Sequence, residues 1–597
     1  MQKLLPRIGL FLFSGIWILA LILLYFAENS WHLQSIQHFR YLPALLLLLA
    51  LAGGMAFWLR RRPSRPAALP WLNGLSLLGA SWLFALFVTF LHTLQNPQLQ
   101  GVPGGYLQVS LYYLGLVAAL YLILGVVFTL GDWLLQLFPM PMAGIERSVL
   151  CLGIGTLGLV FLLFLLGTLN LLYAAVLWPL LGIIILLNLP GAQRFVKGSL
   201  LQPIPLEKDL NFLGTLAFSL LAAYLSLNAL QVIRPIPIGF DALNLYMQLP
   251  ALTHDYHGLV AHTQPHNWSL FMSMGYLLFD RIEVTLALSY VAGPLSLLAL
   301  YAIARRWLDV NHSLLSCLLF YSLPMVQFHS YQEMKIDLGL QFISLCILLL
   351  LLAWISPRQV QPPSQEAAAP EPIEPAAAPP AKKKTKRKSP KGKPRKAASA
   401  RKSRSRTPKV FSLFPANFWT SLGEKLRARL PKSLQADPYW IWLGLFMGFA
   451  LGTKLTSLFV FFPLLVVMWY VKGNARLSLG ILCLSLAGVL LLGLDRQAGL
   501  RGFHLGVPYL QLALGLLGLG LLGWEGVKNR SLLLGKVRLS LVFSFFFILS
   551  ISPWLLKNLS DSGEVSRSGL LFGKKAQPEI TVQEIKATYE QSKQSRP

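Results

Sequence analysis

Charged residues are scarce in this chain. They make up 13% of its 597 residues, against about 25% in an ordinary soluble domain, and that shortage excludes a soluble globular enzyme. Acid is scarcer than base: 24 Asp and Glu stand against 52 Lys and Arg, for a formal net charge of +28. Cysteine is limited to Cys151, Cys317, Cys346 and Cys483, each inside an apolar run. Nothing in their spacing suggests a disulfide framework or a thiolate metal site, and they read as small apolar packing residues. The short alternating segments of an outer-membrane barrel are missing as well.

What fills the chain instead is apolar: 55% of its residues are hydrophobic and the mean hydropathy is +0.57. A bilayer-spanning helix needs roughly 20 apolar residues, and Leu-rich runs such as LLLLLALAGGMAFWL satisfy their backbone groups in lipid only as helices. The sequence therefore predicts an all-α, polytopic helical membrane protein with about 15 transmembrane helices. They are expected at 8–27, 42–59, 70–92, 108–138, 149–168, 171–190, 211–232, 284–304, 313–330, 338–355, 440–454, 456–471, 477–494, 508–523 and 537–556. The first run is too long for the apolar core of a cleaved signal and lacks a small-residue cleavage site, so it is expected to remain a span.

Five regions follow from this pattern: N-terminal spans at 1–232, a core with a large outer loop at 233–355, a linker at 356–438, further spans at 439–556 and a polar tail at 557–597. The linker begins rich in Ala and Pro and then runs from Lys382 to Lys409 with 15 basic residues and no acid. Without an apolar period it cannot bury a core and is expected to be disordered. It is open to two uses, a solvated tether that enforces topology or an attachment to anionic lipid or nucleic acid. With linker and tail set aside, a cytoplasmic N-terminus puts 18 Lys and Arg on the inner side and 7 on the outer, the bias that the positive-inside rule demands. This orientation, in a plasma or inner membrane, keeps the linker cytoplasmic. It sends 233–283, 331–337, 495–507 and the C-terminus outside.

The outer segments hold the polar residues that need a reason. Asp241 opens FDALNLYMQLPAL, where Leu243, Tyr246, Met247 and Pro250 recur with a helical period, as in a helix lying on the membrane surface. His254, His257, His262 and His266 follow; their spacing is compatible with metal ligation, but no firm third ligand accompanies them, and a wet interfacial loop is the better reading. Glu333, Lys335 and Asp337 stand directly before a span in SYQEMKIDLGLQF. Lys454 ends GLFMGFALGTK, in which Gly444, Gly448 and Gly452 permit close helix packing and carry the lysine to the outer rim. Each has a plain structural alternative: Asp241 and Asp337 as N-caps, Lys454 as a snorkelling side chain. Carboxylates able to polarise a hydroxyl and a cation able to neutralise phosphate are, however, what transfer from a lipid-phosphate donor requires.

The order GFDALNLYMQLP, NWSLFMSMGYLLFD, SLLALYAIARRWL, EMKIDLGLQF, GLFMGFALGTKLTSL and SPWLLKN resembles the GT-C superfamily of membrane glycosyltransferases. The nearest group is the one containing protein mannosyltransferase-like and aminoarabinose transferase-like enzymes. The resemblance covers about residues 233–558, interrupted by the linker. It implies a GT-C-like fold with interfacial helices in the first large outer loop, and transfer of a sugar from a polyprenyl-phosphate donor to an acceptor on the outer face. By the same resemblance Asp241 and Asp337 would be catalytic, Lys454 and Arg234 would hold the donor phosphate, and Tyr246, His254, His257, Glu333 and Lys335 would be accessory. A divalent cation is compatible with such a site, yet Asp241 has no neighbouring acid and the paired acidic motif of many relatives is missing. No cofactor or metal ligand is therefore assigned, and the implied partners are the polyprenyl-phosphate sugar donor and membrane lipid. Two other classes compete: a transporter or flippase of a lipid-linked or small substrate, and an inactive GT-C-like scaffold with a basic tether. Polar residues gathered at one rim suit an interfacial active site better than a pathway through the membrane.

The charge bias has a direct consequence for labelling in intact cells. A cysteine placed at Ser389 is expected to resist a membrane-impermeant thiol reagent while one at Ser560 reacts. The reverse pattern would invert the orientation and with it the face of the site.

Overall fold

The computed structural model describes residues 73–95, 105–142, 144–202, 210–233, 239, 241–260, 265–333, 335–356, 438–471, 473–491 and 507–562, with the isolated positions 421, 424 and 425. The expected spans at 8–27 and 42–59, nearly all of the linker, Arg234, His262 and the tail beyond 562 lie outside the described residues. Among the described residues the chain is helical, with no strand. It is a helical membrane protein.

The helices in chain order are α1 (Gly74–Gln95), α2 (Gly105–Leu137), α3 (Gly144–Thr168), α4 (Ala174–Leu187), α5 (Leu189–Val196) and α6 (Phe212–Val232). They continue with α7 (Ile282–Ala304, with a slight break at Val291), α8 (Val310–Tyr321), α9 (Asp337–Ile355), α10 (Pro438–Leu451), α11 (Leu458–Tyr470), α12 (Ala475–Leu491), α13 (Val507–Lys528) and α14 (Arg530–Ser562). Seven of these, α2, α3, α6, α7, α9, α13 and α14, are long and apolar enough to cross a membrane, and α4 with α5 would make an eighth if the pair, bent by 89°, is one span. Five further expected spans, those at 70–92, 313–330, 440–454, 456–471 and 477–494, correspond to shorter apolar helices among the described residues. The run expected at 313–330 divides because Pro324 opens a separate turn, Pro324–Gln327, which passes into a π-helical turn, Phe328–Gln332; a proline cannot continue the hydrogen-bond ladder of the helix before it.

Helices pack pairwise, α2 on α3, α6 on α8, α7 on α9, α10 on α14 and α12 on α13. The glycine stripe of α10 explains its pairing with α14. A Cβ at Gly444 would lie 2.5 Å from the Phe543 carbonyl oxygen, and one at Gly448 would lie 2.4 Å from that of Phe547. Only glycine lets the two backbones come so close. Large side chains, Trp268, Trp440, Phe342, Phe446 and Phe543, fill the centre, whereas Leu512, Leu516, Leu519 and Leu541 are exposed, as expected of a lipid-facing surface.

Helix α9 measures the distance between the two polar ends of the bundle. Its first residue, Asp337, pairs with Lys454 at 2.6 Å. Just past its last turn, the Ser356 carbonyl accepts from Arg306 Nη1 at 3.2 Å. Nineteen residues at about 1.5 Å each span about 28 Å, close to the thickness of a hydrocarbon core. Lys536 closes another helix at the Arg306 end: its ammonium donates to the Met468 carbonyl at 2.8 Å and to that of Val471, at the C-terminus of α11, and lies 6.0 Å from the Trp354 ring centroid.

The segment NWSLFMSMGYLLFD forms two short helices, Asn267–Met272 and Met274–Phe279, and Asn267 through Gly275 are all buried. It is inserted among the longer helices. Asn267 holds it in place: its backbone N–H donates to the Gly452 carbonyl at 2.9 Å, its amide donates to the Phe449 carbonyl at 3.0 Å, and its side-chain oxygen accepts from Trp554 Nε1 at 2.6 Å.

The glycine contacts set a stability test. Gly448→Leu is expected to cost about 1–3 kcal/mol by overpacking, whereas Gly520→Ala, which meets nothing within 4 Å, is expected to be neutral or stabilising by up to about 1 kcal/mol. Thermal unfolding of the detergent-solubilised variants separates the two.

Candidate functional site

Two segments far apart in sequence supply the charged residues of one cluster. The first begins at Gly239, whose φ of +102° is open to glycine but rare for other residues; an added Cβ there would also lie 2.4 Å from Glu333 Cγ. Asp241 follows, and the next turn, Ala242–Tyr246, is π-helical. The second segment links the π-helical turn Phe328–Gln332 to α9 and carries Glu333 and Lys335. Ser330 anchors that turn from below through Tyr321, whose hydroxyl lies 2.8 Å from Ser330 Oγ and accepts from Asn228 Nδ2 at 2.9 Å. Isolated π-helical turns are uncommon and concentrate at functional sites. Two of them border this one.

Lys335 Nζ bridges the segments, 2.7 Å from Asp241 Oδ2 and 3.0 Å from Glu333 Oε2. Glu333 Oε1 in turn accepts from the Asp241 backbone N–H at 3.3 Å. Burial alone would lower the Lys335 ammonium, but its hydrogen bonds to Asp241 and Glu333 outweigh that and hold it above the ordinary lysine value. Tyr246 faces the same charges: burial, with the carboxylates of Asp337 and Asp241, pushes its phenol up to about 12, against a smaller opposing pull from Lys335.

The second ion pair, Lys454 with Asp337, belongs to the same cluster, since Asp337 acts on Tyr246 together with Asp241 and Lys335. Neither aspartate caps a helix through its side chain. Asp241 stands at the N-cap of its π-helical turn without a side-chain capping bond, and the cap before α9 is Ile336. Counting formal charges, Asp241, Glu333 and Asp337 against Lys335 and Lys454 leave the cluster at −1.

His254 and His257 stand apart from this cluster. His254 contacts Asp255 at 3.2 Å and Asp280 at 3.8 Å. His257 caps its helix with φ of +51°, and its ring lies 4.0 Å from that of Tyr173. His266 is buried against Trp554, with ring centroids 4.4 Å apart, so the histidines do not share one wet loop. Among the described residues no group of three or more His, Cys, Asp or Glu could hold a metal ion.

His329 escaped the sequence reading, because nothing but its nearness to Glu333 marks it. Its ring meets the electrostatic field of Asp337, Lys335 and Glu333, and its Nδ1 is buried without a hydrogen-bond partner. Burial holds the imidazole below its ordinary value, with Asp337 pulling the other way.

An apolar groove of about 480 Å³ runs between α2, α3, α10 and α14. One end is walled by Trp133, Phe138 and Trp442, the other by Phe164, Asn267 and Trp554. Asn267 is bonded to Gly452, two positions before Lys454, which ties that end of the groove to the segment carrying the lysine.

Comparison with protein-family models, with curated proteins and with solved structures gives no match. The reading of the site therefore rests on its geometry.

A histidine held low stabilises the fold fully above its unfolded value, about 6.5, and that contribution is lost as pH falls through the folded value. Between pH 7.5 and 5.5 the wild type is expected to lose more thermal stability than His329→Gln. Parallel losses would remove the buried imidazole from the account.

Proposed function

We propose that this protein is an integral-membrane glycosyltransferase that takes a sugar from a polyprenyl-phosphate-linked donor and gives it to an acceptor on the outer face of the membrane. The observation that carries the reading is a cluster of three carboxylates and two lysines, with an apolar groove whose Asn267 end is bonded to the segment that carries Lys454. A soluble donor would have no use for such a groove. A donor of this class has a phosphate to be neutralised and a hydrocarbon tail to be kept out of water.

In the proposed reaction the acceptor hydroxyl oxygen attacks the anomeric carbon, the bond from that carbon to the phosphate oxygen breaks, and polyprenyl phosphate leaves with the bonding pair. Asp241 takes the hydroxyl proton. Lys335 and the hydrogen bond from the Asp241 backbone to Glu333 keep that carboxylate in place. Lys454 receives the charge that develops on the leaving phosphate, which it does by giving up Asp337. Tyr246, with its phenol protonated across the neutral range, is a hydrogen-bond donor at the floor of the site.

A positioned base contributes about 10²- to 10⁴-fold to rate. Asp241→Asn is therefore expected to abolish nearly all transfer in an assay of lipid-linked sugar turnover, with unchanged expression and thermal stability. Lys454→Met is expected to weaken use of the donor, and Asp337→Asn to fall between the two. Wild-type turnover by Asp241→Asn would return the protein to the transporter or scaffold classes.

A further inference from the structure

The second polar cluster lies at the other end of the bundle, and the proposed transfer does not use it. Its centre is Asp132, near the C-terminus of α2 and only 1% exposed. Asp132 Oδ1 accepts from Arg147 Nη2 at 2.9 Å. Its Oδ2 accepts from Gln136 Nε2 at 3.0 Å, Asn188 Nδ2 at 2.9 Å and Arg194 Nη2 at 2.5 Å. An ionised carboxylate offers about four lone-pair sites, so Asp132 is full.

The two arginines are not. A guanidinium has five N–H donors, and the side chains of Arg147 and Arg194 are 31% and 54% exposed. Two cations share one anion, which leaves a formal excess of +1. The nearest acid in sequence, Glu146, is already paired with Arg306 at 2.7 Å, both side chains being 5% exposed. Lys197, exposed one residue past α5, adds a further positive charge.

The fold presents these charges where a headgroup would sit. Asn188 ends α4 and its side chain caps α5 at Gly191 N–H; Pro190 opens the new helix, and the axis turns by 89°. The bend sets α5 at nearly a right angle to the apolar α4, so that where α4 runs into the membrane α5 follows its surface. Phe195 fastens one side of α5 to α2, its ring 4.9 Å from that of Tyr121 and 5.3 Å from that of Phe128. Arg194 and Lys197 remain outward, the arrangement of a basic helix at a lipid interface.

We propose that Arg147 and Arg194, set by the saturated Asp132, form a binding site for the phosphate of an anionic membrane lipid in the leaflet opposite the Asp241 cluster. Paired guanidiniums with spare donors suit a phosphate better than a single ammonium does. The site is separate from the basic segment Lys382 to Lys409 and does not rest on the glycosyltransferase reading.

The test uses the full-length protein in phosphatidylcholine nanodiscs carrying a photoactivatable phosphatidylglycerol, with adducts mapped by mass spectrometry. Labelling is expected on 188–202, and Arg194→Gln or Arg147→Gln should each lower it about fivefold, the effect of one interfacial charge. Either variant keeps one arginine on Asp132 and removes only the excess charge, so if one fails to fold the other decides. Adducts on the basic segment are scored apart. Equal labelling in both variants, or equal labelling by a photoactivatable phosphatidylcholine, would overturn the proposal. Displacement of the label by millimolar inorganic phosphate would assign the site to a soluble anion and overturn the lipid assignment.

Discussion

Carboxylates and cations in this protein pair with each other across segments that are distant in sequence, and the pairing fixes where the helices begin and end. An unpaired charge in hydrocarbon is costly, so these charges lie near helix ends and are matched there. Asp241 with Lys335 ties the turn at Asp241 to the segment before α9, and Asp337 with Lys454 ties α9 to the end of α10. At the far end Asp132, Glu146, Arg147, Arg194 and Arg306 bind α2, α3, α5 and α7. The roughly 28 Å of α9 between them is the bilayer's own dimension expressed as a helix length.

Helix type and approximate position were legible because apolar runs of this length have few other solutions. Helix ends were less so: the run before Glu333 divides at Pro324, where apolar composition alone carries no break. Asp241, Glu333, Lys335, Asp337 and Lys454 were legible as polar residues at one rim. What could not be read was their pairing, since the 92 residues from Asp241 to Glu333 and the 117 from Asp337 to Lys454 leave no local pattern. His254 and His257 had suggestive spacing but face Asp280 and Tyr173 instead. Asp132 is the clearest omission. An acid inside an apolar run is itself a signal, and the positive-inside count treated Arg147 and Arg194 only as markers of orientation.

The third glycine of the stripe, just past the end of α10, shows how one sequence feature acquires two uses. Gly444 and Gly448 admit the α14 backbone, while Gly452 faces the amide of Asn267, which a Cβ would approach to 2.4 Å. The stripe that packs two helices therefore also admits the segment at Asn267. Asn267 and Trp554, bonded to each other, both line the groove.

Under the proposed function the Lys454 to Asp337 ion pair makes the site an exchanger. An anion that takes Lys454 competes with a carboxylate already bound there, so its arrival and the release of Asp337 are one event, and by linkage whatever favours one favours the other to the same degree. On that reading Asp337 is an internal competitor, and the apparent affinity for the donor phosphate is set as much by how firmly Asp337 holds the lysine as by what the phosphate itself offers.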